Sequence, residues 1–329
     1  MAVYTHLSES ELRRYIQVFS VGELLEARGI SAGTINTIYE INTTHGRFIL
    51  RILEGRTRSD ARFEEELIVH LTNNALKVPK MMGVSKGGHV VSINPRQQLS
   101  IFEYLPGREV GVFEVTDEHC RQAGRFLSDM HVACRDLGRR RRNRFDLEKL
   151  MEILGNCEQV NTAQDIGDEL KLIRGQLEEH KPPKHLPKGI VHGDLFIDNV
   201  RFSHGELCGV LDFEMASTGA LSYDIAVALC DWAFSQNQIV PSRARALVAG
   251  YVENRRLTPA EKKALFGLCL FATTRFELTR IHDFEVMVSP DAERLYKDYR
   301  HFRDRRRSLE EMGKEKFEAE ILMPACTGS

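Results

Sequence analysis

The stretch that most constrains this 329-residue chain is Gly189 to Phe213, GIVHGDLFIDNVRFSHGELCGVLDF. A short apolar run, Gly189-Ile190-Val191, delivers His192-Gly193-Asp194, and Asn199 follows five residues after that Asp. A second apolar run, Cys208 to Leu211, delivers Asp212-Phe213. The pattern predicts two short strands that each end in a carboxylate, with an Asn between them. Phosphoryl transfer from a metal-bound nucleotide needs such a set. One Asp orients and deprotonates a hydroxyl, while an Asn and a second Asp hold Mg²⁺ on the phosphates. A lone Gly-Asp is commonplace in turns. Three oxygen donors at offsets of 5 and 18 residues from Asp194 are not explained that way. Asp194 is therefore the candidate base, and Asn199 and Asp212 are the candidate ligands of Mg²⁺, a cation that prefers oxygen. His192 joins the catalytic set as a neutral imidazole expected to brace the loop backbone. Asp224, on the helical segment that follows, fits two readings: a hydrogen-bonding support for the loop, or a first-turn Asp favoured by the helix dipole.

The remaining sequence supplies a setting for that centre. Ser8-Glu9-Ser10-Glu11 reads as a capping box before a helix that buries Leu12, Tyr15, Ile16 and Phe19, and a second short helix is expected over Val21 to Glu26. Thr34 to Thr43 and Arg47 to Leu53 form an antiparallel hairpin around Thr44-His45-Gly46, with Gly33 placed where a kinase folds a glycine loop over phosphates. Arg56 to Asn74 is helical, Gly87-Gly88 turns another hairpin, and Gln98 to Tyr104 is a strand. Leu105-Pro106-Gly107 is the expected hinge. After Phe213 the chain is almost wholly helical. The fold class is thus α+β in two lobes. Residues 1–104 form a small antiparallel nucleotide-binding lobe with one main helix, and 105–329 form a larger helical lobe carrying the catalytic loop and acceptor site.

Transfer also needs a cation on the α- and β-phosphates, braced by a carboxylate from the neighbouring helix, roles that protein kinases give to Lys and Glu. Here the cation position falls on Arg51, with Glu66 as the expected brace. Arg is a planar fork, not a point charge, so the replacement is not conservative.

Bulk properties narrow the partners. The formal net charge is -2, so no global field recruits nucleic acid or a membrane. The basic run Arg139 to Arg144 lacks interleaved aromatics and reads as a solvated loop. No apolar run approaches the roughly 20 residues that span a bilayer, and the first residues lack a signal-peptide pattern. Seven scattered Cys without a CxxC suggest reduced thiols. The expectation is a cytoplasmic protein acting on a small-molecule hydroxyl.

On His192-Gly193-Asp194…Asn199 and Leu211-Asp212-Phe213, the chain resembles the aminoglycoside-phosphotransferase and choline-kinase superfamily, whose fold is like that of protein kinases. Within it, the chain looks most like the bacterial homoserine kinases of this fold. That likeness is carried by Met1 to Thr5, Gly33-Thr34-Ile35-Asn36 with Tyr39, Leu186 to Phe196, Tyr223 to Ala226, Arg275 to Arg280 and His301-Phe302-Arg303. It departs where the family's glycine loop carries an acidic residue and a second Asn, here Ile35 and Ile38, and in the run Glu214 to Gly219 after the metal Asp.

The resemblance implies ATP and Mg²⁺ as cofactors, with adenine bonded to the hinge backbone near Glu103 to Leu105. It implies phosphorylation of L-homoserine to O-phospho-L-homoserine in threonine biosynthesis. Asp231, Arg275 and Arg280 are the candidate acceptor contacts, since an amino acid presents a carboxylate and an ammonium. Two alternatives stand beside this reading: a kinase of another amino alcohol, hydroxylated amino acid or aminoglycoside, and an inactive nucleotide-binding scaffold.

Overall fold

The structure is a computed structural model that describes residues 5–30, 36–160, 164–287 and 296–322. Gly33 and the expected glycine loop around it lie outside the described residues. Two compact units meet in sequence at Pro106/Gly107.

In the first unit, Ser8 and Glu11 form the capping box and open helix α1 (Glu9–Ile16). Leu12, Ile16 and Phe19 are buried as the periodicity predicts, and Tyr15 only partly so. The next segment corrects the sequence reading. Leu24–Ile30 is strand β1, not a continuation of helix through Val21 to Glu26. Residues there have ordinary helix propensity, but Glu26 to Ile30 pair in antiparallel register with Ile38 to Asn42. Pairing across the sheet outweighs a few tenths of a kcal/mol of local preference.

Strands β2 (Thr37–Thr43) and β3 (Gly46–Glu54) form the expected hairpin around Thr44-His45. Helix α2 (Arg58–Asn73) begins on a second capping box, Thr57 with Asp60. Strands β4 (Val90–Asn94) and β5 (Gln97–Glu103) complete an antiparallel sheet of order β1-β2-β3-β5-β4. The β4–β5 hairpin turns at Pro95-Arg96. Gly87-Gly88, expected to make that turn, instead closes a tight bend in which Val84 donates to the Gly88 carbonyl.

The two-residue period of β3 assigns its faces. Phe48, Leu50 and Ile52 enter one core with Leu12, Ile16, Tyr39 and Ile41. Arg51 and Leu53 point the other way.

The second unit is mainly helical. It contains α3 (Asp117–Ala133), α4 (Leu147–Glu158), α5 (Gln164–Glu179), α6 (Leu221–Trp232), α7 (Pro241–Val252), α8 (Pro259–Ile281) and α9 (Arg300–Met312). Small two-stranded antiparallel sheets interrupt the helices. Strand β6 (Lys188–Val191) pairs with β9 (Ser217–Ala220), and β7 (Val200–Ser203) pairs with β8 (Glu206–Val210).

Helices α3 and α7 cross with their backbones nearly touching. A methyl group on Gly124 would lie 2.0 Å from the Leu247 carbonyl oxygen, and one on Gly250 would lie 1.9 Å from that of Arg121. Only glycine fits at either point. Arg141, from the middle of the basic run, is not simply solvated. Its N–H donates to Thr218 Oγ1 at 3.1 Å, and its carbonyl accepts from Thr218 N–H at 2.7 Å. Arg139, Arg140 and Arg142 are exposed as expected, with Arg142 pairing with Asp146 and Glu148 on the surface.

Candidate active site

The predicted strands end where the sequence places them. β6 leads into His192-Gly193-Asp194, and β8 runs through Leu211 into Asp212. Leu211 N–H donates to the Asn199 carbonyl at 2.8 Å, which brings the two carboxylate-bearing segments side by side.

Asp194 is half-buried. Desolvation pushes its carboxyl up to about 6, with the Arg275 guanidinium the largest charge pulling the other way. Its carbonyl accepts from Asn199 Nδ2 at 2.8 Å and from Phe196 N–H at 2.8 Å, closing the loop into a tight turn.

The loop is held from beneath by Asp224, which is fully buried. Its Oδ2 accepts from His192 N–H at 2.7 Å, and its Oδ1 accepts from Gly193 N–H at 2.8 Å. The supporting role open in the sequence is therefore the one Asp224 plays. Gly193 adopts φ +76, a left-handed conformation that a side chain would strain.

Behind Asp224 runs a buried chain that the sequence reading missed. His131 on α3 reaches Asp224 Oδ2 through Nε2 at 3.0 Å, and the Tyr251 hydroxyl on α7 meets His131 Nδ1 at 2.8 Å. Arg255 then donates to the Tyr251 hydroxyl at 2.9 Å and pairs with buried Glu261 at 2.8 Å. With Arg255 donating to the Tyr251 oxygen, the phenol proton is left for His131 Nδ1, and Nε2–H faces Asp224. The close glycine crossing of α3 and α7 is what lets Tyr251 reach His131. One signal was readable. His131 is four residues after Leu127, on the apolar face of α3.

His192 is fully buried and is a positioning residue. Its Nε2 donates to the Leu211 carbonyl at 3.0 Å, and Nδ1 accepts from Asp194 N–H at 3.3 Å. Burial pulls its pKa below the usual value, consistent with the neutral ring that this donor–acceptor pattern requires. Phe213 packs against the imidazole with ring centroids 4.8 Å apart. His192 thus ties the Asp194 loop to the Asp212 segment.

Asp212 itself sits at φ 59, ψ 73, and one carboxylate oxygen accepts from Glu214 N–H. Asp tolerates this left-handed conformation better than most residues, and such strain gathers at functional sites. Asn199 spends its Nδ2 on the loop, so its Oδ1 is the atom left to serve as a donor. An amide oxygen beside a carboxylate is a hard donor pair that suits Mg²⁺. No cluster of three or more His, Cys, Asp or Glu able to hold a metal occurs among the described residues. The pair would therefore depend on phosphate and water oxygens to complete the shell.

In the first unit, Arg51 is buried and pairs with Glu64 Oε2 at 2.7 Å, with its guanidinium over the Phe102 ring at 4.8 Å. The buried brace is Glu64, two residues before the expected Glu66. Glu64 shares the core-facing side of α2 with Ala61, Leu67, Ile68 and Leu71. Glu66 lies about 200° further round the helix. At the end of β5, Glu103 exchanges hydrogen bonds with Lys80, and Leu105 is half-buried beyond the last strand residue.

The proposed acceptor residues separate. Asp231 has both oxygens engaged, Oδ2 by Ile197 N–H at 2.9 Å and Oδ1 by Arg305 at 2.8 Å, and so supports the loop on its far side. Arg280 donates to the Asp298 carbonyl at 2.8 Å and lies over Phe302. Arg275 is buried over the rings of Phe276 and Phe145.

The model of the "Phosphotransferase enzyme family" matches residues 26–261. A homoserine kinase of Methylobacterium radiotolerans is 36% identical over 310 residues, covering 93% of this chain and 95% of its own. One from Rhizobium meliloti is 34% identical, covering 91% of both chains. Among solved structures, the amicoumacin kinase hAmiN, in complex with AMP-PNP, Ca²⁺ and Ami, superposes with a TM-score of 0.68 at 17% identity over 93% of this chain and 94% of that one. That likeness is one of fold, and it is the kinase-like fold expected from the motifs. The chain belongs to the phosphotransferase enzyme family and, within it, to the group of the homoserine kinases.

Proposed function

We propose that the chain transfers the γ-phosphoryl group of ATP to the side-chain hydroxyl of L-homoserine, giving O-phospho-L-homoserine and ADP. The observation that carries the reaction is the Asp194 loop, held by Asp224 beside Asn199 and Asp212. The acceptor rests on the homoserine kinases that match this chain nearly end to end.

In this reading Asp194 accepts a hydrogen bond from the acceptor hydroxyl and aims its oxygen at the γ-phosphorus. The new O–P bond forms as the bond to the β–γ bridging oxygen breaks, and the hydroxyl proton passes to the Asp194 carboxylate late in the transfer. Asn199 and Asp212 would hold Mg²⁺, which when bound neutralises charge on the phosphates. Arg51, fixed by Glu64, offers its fork to the α- and β-phosphates, and the backbone from Glu103 to Leu105 offers its amide groups to adenine. The acceptor is a metabolite of the cytoplasm, in keeping with free, buried thiols at Cys120, Cys134 and Cys157. No helix of the described residues is long and apolar enough to cross a membrane.

An ADP-release assay with L-homoserine, aminoglycosides, choline and ethanolamine tests the acceptor. Homoserine should stimulate release far above the others, and no stimulation by it would overturn the assignment. The Asp194→Ala enzyme should keep its ADP affinity and lose turnover by about 10²- to 10⁴-fold.

A further inference from the structure

Buried guanidinium groups in this protein follow a rule. Arg51 faces Glu64, Arg255 faces Glu261, and Arg306 faces Glu277, Glu169 and Glu310. In each case the charge taken out of water is matched by a carboxylate, as the cost of burying it demands.

Arg275 breaks the rule. It is 4% exposed. Among the described residues it forms no ion pair, and its Nε is buried without a hydrogen-bond partner. Its guanidinium instead lies over two rings, that of Phe276 at 3.7 Å and that of Phe145 at 4.3 Å. Stacking fixes the plane of the fork but neutralises little of its charge.

The location of this charge matters. Phe276 packs with its ring centroid 4.6 Å from that of Phe196, two residues after Asp194 in the catalytic loop. Tyr223, at the start of α6, packs against Phe271, one helical turn before Arg275 on α8. A cationic fork therefore lies against the aromatic layer on which the catalytic loop packs, and among the described residues it forms no ion pair.

We propose that Arg275 receives the α-carboxylate of the acceptor, so that a free carboxylate is the group by which this enzyme selects its substrate. The inference rests on the homoserine reading and extends it by naming the recognising group. The planar fork accepts a carboxylate through two parallel hydrogen bonds. The rings that hold it reduce the ordering needed on binding. An acceptor without the carboxylate leaves the guanidinium desolvated and unpaired, the situation in which enzymes discriminate most strongly.

The test compares L-homoserine with L-homoserine amide, which keeps the hydroxyl and ammonium but removes the negative charge. In the wild-type enzyme, kcat/KM for the amide should be lower by about 10- to 100-fold, mostly through KM. In Arg275→Met this ratio should collapse toward one, with ADP affinity by calorimetry unchanged. Arg275→Lys, which keeps the charge without the fork, should recover part of the preference. Wild-type enzyme that treats both acceptors alike would overturn the inference, and this arm needs no folded variant. A ratio that survives in Arg275→Met, or that stays at its full wild-type value in Arg275→Lys if the Met variant fails to bind ADP, would overturn it while leaving the homoserine reading intact. Wild-type enzyme that ignores homoserine but phosphorylates an acceptor lacking a carboxylate would overturn both.

Discussion

The Asp224→Asn variant probes how the catalytic loop is held. Asp224 Oδ2 accepts from His192 N–H and His131 Nε2, and Oδ1 accepts from Gly193 N–H. An amide has one oxygen for three donors. Its cheaper orientation keeps the oxygen toward His192 and His131 and turns the NH₂ against Gly193 N–H. One buried backbone donor then loses its partner, at about 1–3 kcal/mol. Two charge-assisted bonds become neutral ones of roughly half the strength, at about 1 kcal/mol together. The local cost is therefore about 3 kcal/mol, set against a loop whose Gly193 already holds a left-handed conformation. The loop should relax away from its turn and carry Asp194 out of line. A displacement of that kind costs about 100-fold in kcat. Steady-state kinetics and amide exchange at His192 and Gly193 read the two effects separately. A kcat within threefold of wild type, with exchange at both amides unchanged, would refute the reasoning.

Other consequences follow from the same geometry. Because Asp194 must be ionised to take the proton, and its pKa stands at about 6, kcat/KM should fall as pH drops through 6, tenfold per unit below it. A profile flat down to pH 5 would remove Asp194 as the base. Glu64→Gln removes the carboxylate that pairs with the buried Arg51 guanidinium, which should cost about 3–5 kcal/mol locally. Hydrogen exchange at β3 should quicken accordingly, and unchanged protection there would rule out a structural role for the pair. Gly250→Ala sets a methyl 1.9 Å from the Arg121 carbonyl oxygen, so α3 and α7 must separate at a cost of about 3 kcal/mol. Its melting temperature and kcat should fall together, since Tyr251 moves away from His131. A stable variant of normal activity would break that connection.

The legible parts of the fold share a physical trait: their signals are local. A capping box at Ser8 and Glu11 and the period of α2 are each decided within a few residues. The strand at Leu24–Ile30 was not legible because what decides it is pairing with β2, further along the chain, and Gly22 was the one local signal against a helix there. The β4–β5 turn was misplaced for a related reason. Gly87-Gly88 is a strong turn signal, and the structure uses it for a bend before the strand.

The site divides along the same line. Asp194, Asn199, Asp212 and His192 lie within 21 residues, and their spacing alone brought them together. What holds them comes from far along the chain: Asp224 on α6, His131 on α3 and Tyr251 on α7. Asp224 was open to two readings in the sequence, whereas His131 and Tyr251 are unremarkable there, and the residues that bring their helices into range are glycines at 124 and 250. The choice of Glu64 over Glu66 required knowing which face of α2 meets the sheet, a matter of 200° that three consecutive glutamates conceal. Arg275 follows the same logic in reverse. Sequence offered it on equal terms with Asp231 and Arg280, and the absence of an ion pair to a buried guanidinium among the described residues sets it apart from Arg51, Arg255 and Arg306. A protein that matches these other buried arginines so closely would gain nothing from leaving Arg275 unmatched unless its counter-charge arrives with the substrate.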